Sequence, residues 1–150
     1  MDAVSYPHDG VVGFIQDHLV PLRLEHDDKQ FSRDYNIIWT PTLLVLDQDG
    51  LEYQRTIGFL SPDELLPNMM LGVAKVYFNT GNFAAAKMHL DMIEKQYPQS
   101  DSAPEALYFR GVNQYKQKND PKELKKAYES LQKDYPGSAW AKRAAPYRLL

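Results

Sequence analysis

The 150 residues include no cysteine, which excludes disulfides, thiolate nucleophiles, Cys-ligated metals and any dithiol redox cycle performed by this chain alone. A hydrophobic fraction of 43% is enough for a packed core, yet no apolar run nears the ~20 residues of a membrane-spanning helix. The net charge of −3 hides an asymmetry: residues 1–66 hold four basic and twelve acidic side chains, residues 67–150 thirteen and eight, a reversal that points to two modules meeting near residue 66 or to two faces that attract each other.

The chain opens Met-Asp-Ala-Val-Ser-Tyr-Pro-His-Asp, without the basic and apolar stretches of a signal peptide. That favours the cytoplasm for the chain as given, with the periplasm open if the true start lies upstream. Asp9 is placed to cap a helix in which Val11, Val12, Phe14, Ile15 and Leu19 recur at helical spacing. Val20-Pro-Leu-Arg-Leu24 alternates and predicts a strand; Gln30–Tyr35 predicts a short helix. The continuous apolar run Leu43–Leu46 predicts a strand covered on both faces. Asp47-Gln-Asp-Gly50 predicts a turn with Gly50 at positive φ, and Glu52–Ile57 a strand returning as a hairpin.

Ser61-Pro-Asp-Glu64 combines a cap, a proline at the first helical position and a capping-box glutamate. From there to Leu150 the pattern is helical, broken at Gly81, Pro98, Asn119-Asp-Pro121 and Pro136-Gly137, with Pro67 expected to kink or restart the first helix. A shift of 38 residues superimposes Tyr77 on Tyr115, Ile93 on Leu131, Tyr97-Pro98 on Tyr135-Pro136, Ala103 on Ala141 and Phe109 on Tyr147. Such a period marks stacked helical hairpins, each burying the apolar face of its neighbour.

Within the first hairpin, Ala74, Tyr77, Gly81, Phe83, Ala86, Leu90 and Pro98 stand at intervals that resemble the tetratricopeptide pattern. The second departs from it, with Leu124 in place of the small alanine and Asn119 in place of the glycine, so a looser pairing is expected there. The resemblance implies protein or peptide partners, with Tyr77, Tyr108 and Tyr115 as candidate partner-binding residues. Packing between helices is the other reading of these rings and of Phe109 and Tyr128.

The stretch Asn36–Gly50, with Trp39-Thr-Pro-Thr42 at its centre, resembles the thioredoxin-like superfamily, as does the opening Met-Asp. That resemblance implies a cis proline at Pro41, with Trp39, Thr40 and Pro41 facing a substrate. It also implies a Cys-x-x-Cys site that would stand just before Met1, and hence a thiol-disulfide oxidoreductase in an intact form. The expected fold is therefore a partial thioredoxin-like domain of three strands with helices over residues 1–66, followed by tetratricopeptide-like hairpins over 67–150. Open sheet edges make self-association an expectation.

Other chemistry is weakly marked. His8, His18, His26 and His89 have no His-x-x-x-His spacing, and the site that would complete a calcium loop from Asp47 is Gly58 rather than glutamate. Neither a Gly-rich phosphate loop nor a Gly-x-Ser-x-Gly elbow is present. Lys116, Lys118, Lys122, Lys125, Lys126 and Lys133 form a basic stretch, read as a solvated face with an acidic partner as the alternative. No catalytic residue, metal, cofactor, nucleic acid or membrane is expected. The two functional expectations are an oxidoreductase whose cysteine-free part is this chain, and a non-catalytic interaction module built on the helical repeats.

Overall fold

A computed structural model describes residues 1–25 and 28–150. The chain divides into two compact units, Met1–Leu66 and Pro67–Leu150.

The first unit opens with helix α1 (Asp9–His18). His8, not Asp9, holds the N-cap position, without a side-chain capping bond; Asp9 sits inside the first turn, where its charge suits the helix dipole. Val11 and Phe14 are buried, whereas Val12 is 37% exposed. Helix α2 (Lys29–Asp34) is capped by Asp28, whose Oδ1 accepts from the Phe31 amide at 2.9 Å. The sheet has two strands, β1 (Thr42–Leu46) and β2 (Glu52–Ile57), paired antiparallel from Thr42↔Ile57 to Leu46↔Glu52 with an irregularity at Val45/Leu46. The turn between them forms as its residues predict: Asp47 Oδ1 accepts from the Asp49 and Leu51 amides at 3.0 and 2.9 Å, and Gly50 has φ +79°. Tyr35 Oη donates to the Gly50 carbonyl at 3.0 Å, and Arg55 donates to the Tyr35 carbonyl at 2.6 Å while pairing with Glu52, so α2 is tied to the hairpin.

Two expectations fail here. Val20–Leu24 forms no strand: Val20 is 95% and Leu22 74% exposed. Alternation describes which side chains would share a face, but a strand exists only with a neighbour to complete its hydrogen bonds, and no described segment pairs with this one. The expected run of three strands is thus a two-stranded antiparallel sheet among the described residues. Nor is Leu43–Leu46 covered on both faces, since only Val45 is fully buried.

Helix α3 (Pro62–Asn79) begins where the Ser61 carbonyl accepts from the Leu65 amide at 2.8 Å and passes through Pro67 without restarting. Gly81, at φ +82°, turns the chain into α4 (Phe83–Gln96), capped by Asn82. Then follow α5 (Ala103–Lys118) and α6 (Lys122–Asp134), joined through Asn119 in the left-handed conformation at φ +54°. The last segment is a short α7 (Ala139–Arg143), capped by Ser138, and a 3-10 turn (Ala145–Leu149). Leu107, Ala127, Leu131, Ala141 and Ala144 form a buried cluster that seats α7 on the α5–α6 hairpin. The looser second hairpin is not found. Gly111 replaces the expected small-residue contact, since a Cβ there would stand only 2.3 Å from Ala127 Cβ. Absence of a side chain, one position earlier than the pattern anticipates, lets the two backbones close.

Candidate functional site

Six aromatic side chains of the helical unit form one connected series. Phe78 on α3 meets Phe83 at the start of α4, with ring centres 5.8 Å apart, and Phe109 on α5 at 6.1 Å, both edge to face. Phe109 meets its neighbour Tyr108 at 6.0 Å and Trp140 of α7 at 5.9 Å. Tyr108 lies 5.0 Å from Trp140 and stacks on Tyr147 at 5.8 Å, and the two phenol oxygens are hydrogen-bonded at 2.8 Å. Each of the six is half-buried. Such contacts add to area burial because the rings present edges to faces. They also hold wide apolar surfaces rigidly where one side is still open.

Two cations adjoin the series. The Lys75 ammonium lies 5.3 Å from the centre of the Phe109 ring and is paired with Glu105; the Arg143 guanidinium lies 4.5 Å from the Trp140 ring. Burial, and then the bond to Tyr108, raise the Tyr147 phenol pKa above the usual tyrosine range.

Residues 69–100 and 105–138 match the family model for the tetratricopeptide repeat. These two segments are tetratricopeptide repeats. No curated protein and no solved structure matches the chain.

The first repeat comprises the greater part of α3 with α4, and the second α5 with α6; α7 covers the second. The aromatic series runs along the first helices of both repeats and onto α7. Of the three tyrosines singled out in the sequence, Tyr108 lies within it. Tyr77 instead stacks flat on the buried His89 of α4, centres 5.7 Å apart, inside the first repeat. Tyr115 is half-buried on α5 and accepts the Asn119 amide at its carbonyl. Trp140 has no counterpart in the first repeat, since the 38-residue shift places it on Ser102.

In the first unit the Thr40–Pro41 peptide bond is cis. The Thr42 hydroxyl donates to the Trp39 carbonyl at 2.5 Å, and the Gly58 amide to the Pro41 carbonyl at 2.8 Å, so this loop lies beside the end of β2. Ile38, Trp39, Ile57 and Phe59 there are 56–75% exposed. Among the described residues no group of His, Asp and Glu side chains is arranged to hold a metal; His26 and Asp27 lie outside them. Of the basic stretch, Lys118 and Lys126 both hold Glu123, at 3.2 and 3.1 Å, and Lys125 donates to the Leu150 carbonyl at 2.8 Å. Those hydrogen bonds lower the Glu123 pKa. Lys116, Lys122 and Lys133 are exposed.

Proposed function

We propose that the chain is a non-catalytic protein-interaction module, in which the two tetratricopeptide repeats receive an extended peptide or helix of a partner on the ring series Phe78, Phe109, Trp140, Tyr108 and Tyr147. The observation that carries this reading is the continuity of half-buried rings across α3, α5 and α7. Rigid aromatic surfaces lose little entropy on binding and dominate interface energetics. Peptides selected from a displayed random library on the full chain provide the test. Phe109→Ala and Trp140→Ala should each weaken a selected peptide by about 30-fold, the effect of a ~2 kcal/mol hot spot. Tyr77→Phe, which keeps the ring on His89, should leave it bound. Peptides indifferent to both Phe109 and Trp140 would refute the assignment.

A second reading attaches to residues 1–66. Trp39, Thr40 and Pro41, which the thioredoxin resemblance implies face a substrate, form an exposed loop beside Gly58. On this reading the loop contacts a protein client, and thiol-disulfide exchange belongs to a form that carries cysteines. Insulin reduction by the product of a reading frame extended upstream of Met1 tests it; an extended product without Cys-x-x-Cys, or one that leaves insulin oxidised, ends the idea.

A further inference from the structure

The α7 end of the aromatic series carries an arginine that the chain itself leaves unengaged. Arg143 stands three residues after Trp140, about one helical turn on, and its guanidinium lies 4.5 Å from the centre of that ring. The contact limits the side chain's freedom before any partner arrives. A guanidinium offers its donors in one plane, where a carboxylate can take two of them at once. Arg23, Arg55 and Arg110 each have a carboxylate, in Asp2, Glu52 and Glu94. Arg143 is exposed and has none among the described residues. Water serves it in the free protein, so a partner's carboxylate gains selectivity there rather than great strength.

The surrounding charge has the same sign. From Pro136 to Leu150 there is no acidic side chain, whereas Lys142, Arg143 and Arg148 are all exposed. Towards α3, Lys75 and Glu105 neutralise each other. The exposed Asp101 shares with Trp140 a groove lined also by Pro98, Pro104 and Tyr135, and Arg143 is not part of that lining. Even with Asp101 counted, positive charge exceeds negative around the rings. Phosphates as well as carboxylates answer to such a field, but the rings favour a peptide. Nucleobases stack on open ring faces. Here Tyr108 and Tyr147 stack on each other, Arg143 lies over Trp140, and Lys75 lies over Phe109. Ring edges are what such packing leaves for a partner, and they suit apolar side chains.

We infer, resting on the assignment of the aromatic series to a partner, that the partner segment carries an aspartate or glutamate beside an apolar anchor. The apolar side chain lies on the rings, and Arg143 donates to the carboxylate. Arg143 is then the residue that sets the segment's register, since a two-pronged bond fixes position and direction together. Lys142 and Arg148 attract acidic segments at longer range, an effect that added salt removes.

The test takes peptides selected from a displayed random library on the full chain, resynthesised with amidated C-termini so that their carboxylates are side chains. Phe109→Ala and Trp140→Ala sort them, and peptides that lose affinity in either variant use the rings. Those peptides should contain Asp or Glu more often than the unselected library. Arg143→Gln should weaken them roughly two- to fivefold, the range of an exposed ion pair. Arg143→Lys should restore part of the loss, since it keeps the charge without the fork. Exchanging the peptide's carboxylate for its amide should cost about as much, and should add nothing on top of Arg143→Gln. A merely structural role for Arg143 would instead give losses that add. Additive losses, or ring-dependent peptides with no excess of Asp or Glu, would overturn the carboxylate assignment and leave the ring surface standing. Peptides indifferent to both Phe109 and Trp140 would overturn the ring surface and this inference with it. An oligothymidylate that displaces the peptides, and is itself weakened by Arg143→Gln, would overturn the choice of a protein partner.

Discussion

Replacing Gly111 by alanine tests how closely α5 and α6 approach. The added methyl would stand 2.3 Å from Ala127 Cβ and 3.3 Å from the Glu123 carbonyl oxygen. Carbon atoms settle at about 3.5–4.0 Å, so the helices must part by roughly 1.5 Å. No rotamer relieves the clash, because the Ala127 methyl is fixed to its own backbone. Parting the helices loosens Leu107 and Leu131, which pack in the cluster beneath. Overpacking costs about 1–3 kcal/mol, and a methyl held 2.3 Å from another belongs in the upper part of that range, about 2–3 kcal/mol; the better helix preference of alanine returns about 1 kcal/mol. The expected net loss is about 1–2 kcal/mol, a fall in Tm of roughly 2–8 °C for a chain of this length. Thermal and urea unfolding followed by far-ultraviolet circular dichroism would measure it. Adding Ala127→Gly should return the spacing, making the double variant more stable than the sum of the single changes allows. A Gly111→Ala protein as stable as the wild type would refute the close approach.

Gly81→Ala should destabilise by about 1–2 kcal/mol, since alanine resists φ +82°, whereas Asn119→Gly should stabilise by a few tenths to about 1 kcal/mol at the equivalent turn; urea midpoints decide both. In an alkaline absorbance titration, Tyr147 should ionise above the usual tyrosine range, chiefly because it is buried, and Tyr108→Phe should lower its transition by removing the bond between the two hydroxyls. Glu94 and Glu123 should respond oppositely to acid. The raised Glu94 pKa means that the cost of its buried charge is relieved as pH falls through the folded pKa toward about 4.3, so wild type should gain on Glu94→Gln over that window. The lowered Glu123 pKa means that its contribution holds above about 4.3 and is lost as pH falls through the folded value; the advantage of wild type over Glu123→Gln should shrink there.

Much of the local chemistry that closes within a few residues was readable, although the cap expected of Asp9 falls on His8. Asp47 makes its own turn, Ser61-Pro62 opens a helix, and Gly81 and Asn119 take positive φ at matching points of the repeat. The repeat period anticipated the stacked hairpins because equivalent residues must meet equivalent neighbours. What depends on partners distant in sequence was harder. Val20–Leu24 carries a strand's alternation without a ladder to join, and Leu43–Leu46 carries the apolar run of a covered strand while only Val45 is enclosed. Tyr77 and Tyr108 look alike in the sequence, but one faces His89 within its own hairpin and the other reaches Trp140 across a repeat boundary. Gly111 could have been found, as a glycine within a helix costs stability unless another backbone needs the space.

Pro67 lies inside α3 at the point where the two compact units divide. Having no amide hydrogen, it leaves the Asp63 carbonyl without its helical donor, so the hydrogen-bond ladder of α3 lacks a rung at that border. The same ring is well suited to the first position of a helix. Were the chain severed between Leu66 and Pro67, the defect of the continuous helix would become the favourable starting residue of the shorter one. The repeats thus carry, within an unbroken helix, the beginning they would need to stand alone.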